Sequence, residues 1–380
     1  MTERRFKLPG EEELNKDQDR ILDLPENGQF LIVGGPGTGK SVVALLRAMK
    51  FHKNNNYVFL TYNHVLNSAT KQLVNLDLTT LTIKSWFCKM YHHFTGEDVP
   101  EDQPYKYDYN GVIKKFQSLE MEPRSLHLII DEGQDMPVKF YESLMHAGYE
   151  NFFVVADQNQ QITEENSSRQ ELMDILGIDR DDVIELTQNF RNSYPTALLA
   201  SHFFTDPASP APDLPPESKS ALGTPILYEY EHFDDSVRMI LREADRDDRN
   251  LIGVVVANNS KRDNYVNALL SMDVTLDNPH PRISTYLSKD KQDVTLDFTR
   301  GGVVVLNDRS IKGLEFDVVF IIVDGFQIFN NDIDGMKKRF YVMCSRAIKK
   351  LVLVKGKGYD DGIIQILPED ESVLKRQKGY

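Results

Sequence analysis

Gly34-Gly35-Pro36-Gly37-Thr38-Gly39-Lys40-Ser41 follows the short apolar run Gly28-Gln29-Phe30-Leu31-Ile32-Val33 and opens into Val42 to Met49, whose spacing predicts a helix. The eight residues satisfy G-x-x-x-x-G-K-[ST]. Glycines let backbone N–H groups close around phosphate oxygens, Lys40 brings a positive charge to the β- and γ-phosphates, and Ser41 offers a hydroxyl to Mg²⁺. A strand before the loop and a helix after it is the context this chemistry requires, so ATP bound through Gly35, Pro36, Gly37, Thr38, Gly39, Lys40 and Ser41 is the first expectation.

Working outward, further apolar runs at Tyr57 to Thr61, Leu126 to Ile130 and Asn151 to Ala156 are separated by segments of helical spacing such as His64 to Leu73. That alternation predicts a parallel sheet covered by helices. A second series, Val183 to Leu186, Pro225 to Tyr230, Leu251 to Ala257, Gly302 to Leu306, Asp317 to Val323 and Lys350 to Val354, predicts a second α/β domain. The stretch Asp206 to Pro216 contains Pro207, Pro210, Pro212, Pro215 and Pro216, which excludes a helix or a central strand and makes it a surface loop.

The chain has 380 residues, enough for two domains with separate cores, and its 41% hydrophobic and 27% charged residues are ordinary globular values. Cys88 and Cys344 are too few for a disulfide framework and lack zinc-site spacing, which fits a reducing compartment. No apolar run reaches the length of a membrane span, and the N-terminus lacks a leader-like apolar core; the expectation is a cytoplasmic protein without membrane contact. The net charge of −14 argues against a nonspecific nucleic-acid coat and still permits a local basic groove.

A phosphate cradle needs an acid for the metal and a group that polarises water. Leu128-Ile129-Ile130-Asp131-Glu132 places both at the end of an apolar strand, Asp131 for Mg²⁺ and Glu132 as general base. With its continuation Gly133-Gln134-Asp135, this stretch resembles motif II of superfamily 1 helicases. Other segments resemble the UvrD/Rep branch in the order of that family: Val155 to Ile162 (motif III), Gln188-Asn189-Phe190-Arg191 (motif IV), Ser310 to Phe316 (motif V) and Tyr341 to Ala347 (motif VI). The resemblance runs from Gln18 to Ala347.

It implies two RecA-like α/β domains with parallel sheets and ATP in the cleft between them, at residues 1–182 and 183–380. By that resemblance Gln18 reads adenine, Phe190 stacks on it, Glu315 reaches the ribose, Gln160 senses the γ-phosphate, and Arg191 and Arg346 are arginine fingers. The catalytic set is then Lys40, Asp131, Glu132, Gln160, Arg191 and Arg346, with the metal at Ser41 and Asp131. Guanidinium groups suit phosphate oxygens, and delivery across a cleft couples hydrolysis to closure.

Departures from the family matter as much. Residues 96–124 are a polar, Tyr-rich stretch with room for little structure where larger members carry an inserted subdomain, and a second insertion has no counterpart between Asn192 and Leu306. Thr163-Glu164-Glu165 follows motif III where the family has an aromatic. Thr61 and Tyr62 resemble motif Ia, and with Ser85 and Trp86 they are the expected nucleic-acid contacts. Trp86 reads two ways, as a base-stacking group or as core within Trp86-Phe87-Cys88-Lys89-Met90-Tyr91. Lys337-Lys338-Arg339 with Lys349-Lys350 likewise reads as a strand contact or a solvated face.

The expected function is an ATP-hydrolysing motor on single-stranded nucleic acid, DNA by analogy and 3′→5′ by analogy. The competing expectation is an ATPase switch subunit that controls a partner such as a nuclease in DNA repair or phage defence.

Overall fold

The computed structural model describes residues 14–62, 78–104, 106–160, 166–205, 211–217, 223–286, 296–359 and 362–379. In chain order these form α1 (Lys16–Leu22), β1 (Gln29–Gly34), α2 (Lys40–His52), β2 (Tyr57–Thr61), β3 (Thr80–Thr82), α3 (Ile83–Thr95), the antiparallel hairpin β4 (Glu101–Gln103) and β5 (Lys106–Tyr107), and α4 (Tyr109–Ser118). There follow β6 (Arg124–Ile130), α5 (Val138–His146), β7 (Tyr149–Ala156), α6 (Arg169–Leu176) and β8 (Ile184–Leu186). The first sheet has the order β3-β2-β6-β7-β1-β8 with every pair parallel.

The second half contributes α7 (Tyr194–His202), β9 (Ile226–Tyr230), α8 (Phe233–Arg246), β10 (Leu251–Val256), α9 (Asn259–Ser271), β11 (Ile283–Thr285), β12 (Gly302–Asn307), β13 (Phe316–Ile322), α10 (Ile333–Cys344), β14 (Ala347–Gly356) and β15 (Lys375–Lys378). Its sheet, β11-β12-β10-β13-β14-β9-β15, is also wholly parallel. Two helix-covered parallel sheets are the expected RecA-like architecture.

Burial explains why the strands read as unbroken apolar runs. Leu128 and Ile130 of β6 face one core with α3 and α5, while Ile129 faces the other with Val43, Ala44 and Ala48 of α2. Each such side chain taken fully out of water contributes roughly 1.5–3 kcal/mol, so both faces of the sheet are stabilised by the same strand. The loops that end these strands are therefore held on a rigid base.

Two expectations change and one holds. Ile184–Leu186, expected to begin the second series, pairs with Ile32, Val33 and Gly34 and closes the edge of the first sheet; a short apolar run satisfies either sheet, and contact with β1 decides. Residues 96–124 hold more than expected, because Tyr109, Val112, Ile113 and Phe116 form one buried stripe on α4 capped by Asp108. The span from Asn192 to Leu306 is, among the described residues, occupied by elements of the second sheet and its helices, as expected. The helix expected at His64 to Leu73 and the residues Thr163-Glu164-Glu165 lie outside the described residues, as do Pro207 and Pro210; residues 211–216, with Pro212, Pro215 and Pro216, form no helix or extended strand.

Candidate nucleotide site between the two sheets

β1 ends in the glycine loop, and α2 starts at Lys40 with Gly39 as its N-cap. Gly37 and Gly39 have φ of 75° and 88°, a region that side chains with a Cβ avoid. Space is short as well. A Cβ on Gly37 would lie 2.5 Å from Asn189 Oδ1, one on Gly39 2.3 Å from Gln18 Nε2, and one on Gly35 1.9 Å from Pro212 Cγ. Gln18 is fixed by a reciprocal capping box with Asn15 at the start of α1, and its Nε2 donates to Thr38 O at 3.2 Å. Thr38 Oγ1 in turn donates to Gly35 O at 2.8 Å, while Pro36 is buried in the same turn.

Lys40 is buried, with Nζ 2.6 Å from Gly35 O and 3.4 Å from Asp157 Oδ2. Burial lowers its pKa against the pull of Asp157. Ser41 Oγ donates to Asp131 Oδ2 at 2.9 Å, joining the start of α2 to the end of β6. Burial, then the adjacent Glu132 charge, raises Asp131 to about 6. Burial would raise Glu132 too, but Lys312, Lys40 and Arg346 offset it and hold that carboxyl at about 2. Glu132 has a left-handed backbone, φ 59°, and its Oε2 accepts from Gln134 Nε2 at 2.7 Å. Gln134 Oε1 accepts from the Asp157 N–H at 3.0 Å, so one buried amide links the loops after β6 and β7.

The opposing wall is cationic. Lys312 Nζ lies 2.6 Å from Asp135 Oδ2, 3.3 Å from Glu132 Oε2 and 2.7 Å from Gln160 O, with its side chain 0% exposed. Burial opposes its charge, yet Asp135 and Glu132 raise it above the ordinary lysine value; burial pushes Asp135 up to about 7. Arg346 donates from Nε to Val342 O at 3.0 Å and from Nη2 to Gln160 Oε1, while Gln160 Nε2 donates to Asp157 Oδ2. Burial, then Arg191, lowers Arg346 to about 10, where it stays charged at neutral pH.

The motif IV segment lies across the glycine loop: the Phe190 N–H donates to Gly37 O at 2.9 Å, and the Phe190 ring is 41% exposed. Arg191 Nη2 donates to Glu315 Oε1, whereas its buried Nε and Nη1 have no acceptor among the described residues. Two buried guanidinium donors without acceptors beside a glycine loop fit a polyphosphate. Ser41 and Asp131 fit the one or two protein ligands that Mg²⁺ takes together with phosphate oxygens and water. Every residue expected at the nucleotide is thus gathered in one cleft.

The expected nucleic-acid contacts divide. Thr61 and Thr82 are Cα partners, so Tyr62 after β2 and Ser85 in α3 share one rim of the sheet, both half-buried. Tyr62 also lies near the cleft, with Lys312 Nζ 5.8 Å from its ring centre. Thr61 is buried, and its Oγ1 reaches Leu81 O at 3.5 Å. Trp86 is core: it packs on Tyr149 with ring centres 5.6 Å apart and is 8% exposed, too little surface for a base to stack on. The basic cluster is also partly neutralised, since Arg339 pairs with Asp308, Lys349 with Asp317 and Lys350 with Glu243.

Lys312, Gln134, Asp135, Asp157, Asn189 and Asn192 received no role in the sequence reading. The available signal was the lone cation in Ile311-Lys312-Gly313-Leu314 and the polar residues beside recognised ones.

A family model described as "Schlafen group 3, DNA/RNA helicase domain" matches residues 28–287, more than half of the chain. The chain belongs to that family. No curated protein matches it. Among solved structures, Pif1 helicase from Candida albicans aligns with a TM-score of 0.51 at 12% identity, over 95% of this chain and 98% of that one, a likeness of fold. The C-terminal domain of a possible DNA helicase from Lactobacillus plantarum WCFS1 aligns with a TM-score of 0.33 at 17% identity, over 49% of this chain and 98% of that one. In this Schlafen group 3 helicase domain the family match takes in the glycine loop, Asp131, Glu132, Gln160 and Arg191; Lys312, Glu315 and Arg346 lie beyond it. Among the described residues no helix is long and apolar enough to cross a membrane.

Proposed function

We propose that this Schlafen group 3 helicase domain is a superfamily 1 motor of the UvrD/Rep-like branch that hydrolyses ATP and translocates on single-stranded nucleic acid, DNA in the first instance, 3′→5′ and in the cytoplasm. The family match and the fold likeness to Pif1 support the superfamily, and the motif order supports the branch and direction. The observation that carries the reading is the convergence of Arg346 and Lys312 from the second sheet on Gln160, Glu132 and Asp135 from the first, beside the glycine loop.

The roles are those the family resemblance implies, and the geometry is compatible with them. Gln18 and Phe190 flank the base, Glu315 takes the ribose, and the backbone of Gly35 to Gly39 with Lys40 cradles the phosphates. Ser41 and Asp131 hold Mg²⁺, whose charge offsets that of the phosphate oxygens. Glu132 takes the proton of the attacking water, while Arg191 and Arg346 stabilise charge on the transferred phosphoryl group and Gln160 reports its presence to both walls. Because the cations come from both sides, turnover opens and closes the cleft. Tyr62 and Ser85 carry the strand contact on the first domain, and the boundary between the domains falls after β8 rather than at residue 182.

A second reading rests on the interior positions of Thr61 and Trp86 and on the −14 net charge: the cleft acts as a switch that controls a partner such as a nuclease. ATP hydrolysis measured without nucleic acid and with single-stranded DNA, duplex DNA and RNA separates the two. The motor reading expects stimulation by single strands; equal rates in all four would overturn it in favour of the switch.

A further inference from the structure

The residues on which the proposed chemistry depends are held by a side chain to which the motifs assign nothing. Asn192 is 1% exposed, and its amide has its hydrogen bonds satisfied. Its Nδ2 donates to Ser345 O at 3.1 Å and to Ala347 O at 2.7 Å, the carbonyls of the residues on either side of Arg346. Its Oδ1 accepts from Asn189 Nδ2 at 3.0 Å. Asn189 Oδ1 accepts from the N–H groups of both Arg191 (3.0 Å) and Asn192 (3.1 Å), an Asx turn that sets the direction of the Arg191 backbone. The same Asn189 oxygen lies where a Cβ on Gly37 would approach to 2.5 Å.

The chain of contacts runs from the glycine loop through Asn189 and Asn192 to the backbone around Arg346, and Arg191 hangs from its middle. We infer that Asn192 is a positioning residue that fixes the two arginines to each other, so that they meet the phosphates as one unit. This rests on the reading that Arg191 and Arg346 act on ATP. Asparagine is required because both amide protons must be donated while the oxygen accepts. An aspartate of the same shape would set an oxygen against two carbonyls.

The test compares Asn192→Asp and Asn192→Ala with the wild type, and repeats each substitution in an Arg191→Ala/Arg346→Ala background, using single-turnover ATP hydrolysis and binding of a non-hydrolysable ATP analogue. The expected result is a fall in kcat of about 10- to 100-fold with KM and analogue affinity within about threefold. In the arginine-free background the same substitutions should change the rate less than about twofold. An equal loss in both backgrounds would make Asn192 a general structural residue and overturn the inference. So would an unchanged kcat in Asn192→Asp while the arginine-free protein has lost turnover. Wild-type turnover in the arginine-free protein alone would instead overturn the arginine reading, and the inference with it.

Discussion

The two walls of the cleft carry opposite charge. On the glycine-loop side stand Asp131, Glu132, Asp135 and Asp157, with Lys40 as their companion cation; facing them stand Lys312 and Arg346 of the second sheet, with Arg191 on the connecting segment paired to Glu315. Local sequence makes each wall chemically one-sided, and only the fold brings them together. Buried ion pairs add little net stability because desolvation offsets the attraction, but removing one partner is costly. The difference between the walls therefore specifies how the two sheets meet more than it strengthens the fold.

Breaking the basic wall at the reacting end should have the largest effect. Arg346→Ala is expected to lower kcat by about 10³-fold or more, the scale of an arginine finger, in a steady-state ATPase assay. Glu132→Gln, which removes the proposed base from the acidic wall while keeping its shape, should lower kcat by about 10²- to 10⁴-fold and leave ATP affinity near that of the wild type in a binding assay. Lys312→Met leaves Asp135 and Glu132 without their partner and should cost about 3 kcal/mol in urea unfolding; adding Asp135→Leu should recover most of it, because an apolar pair needs no desolvation. If Lys312→Met is as stable as the wild type, the walls are not held by their charge.

The smallest effect tests the scaffold behind the acidic wall. His127, in the middle of β6, stacks on Phe51 at 3.9 Å, and burial, then Arg47, lowers its pKa below 6.5. The folded state disfavours the protonated ring, so stability should be complete above pH 6.5 and decline as pH falls below it. Melting curves from pH 7.5 to 5.5 should show this slope in the wild type and a shallower one in His127→Phe, with turnover at pH 7.5 unchanged.

The sequence reading was strongest where chemistry is local. The glycine loop, Asp131 and Glu132 lie within a few residues of the strands that present them, and an unbroken apolar run is sufficient to find β6, β10 or β13. It was weakest where backbone pairing alone makes the element. Lys375–Lys378 is wholly polar and exposed, yet it forms β15 by pairing with β9, and β3 and β11 are three residues each. Trp86 satisfied two patterns until Tyr149, from the other side of α4 and β6 in the chain, settled its place. Lys312 and Asp135 are 177 residues apart, beyond any local pattern.

Gly35 has a consequence for anyone who would transplant the loop. Its neighbours Gly37 and Gly39 are glycine because of their own backbone, and would be so in any host. Gly35 is glycine because Pro212, from a distant strap, occupies the space a methyl group would need. Grafted elsewhere without that strap, the position would tolerate alanine. Within this chain, shortening Pro212 is the change that should make Gly35→Ala acceptable, so a position that the phosphate-binding signature leaves open is fixed here by a contact from outside the loop.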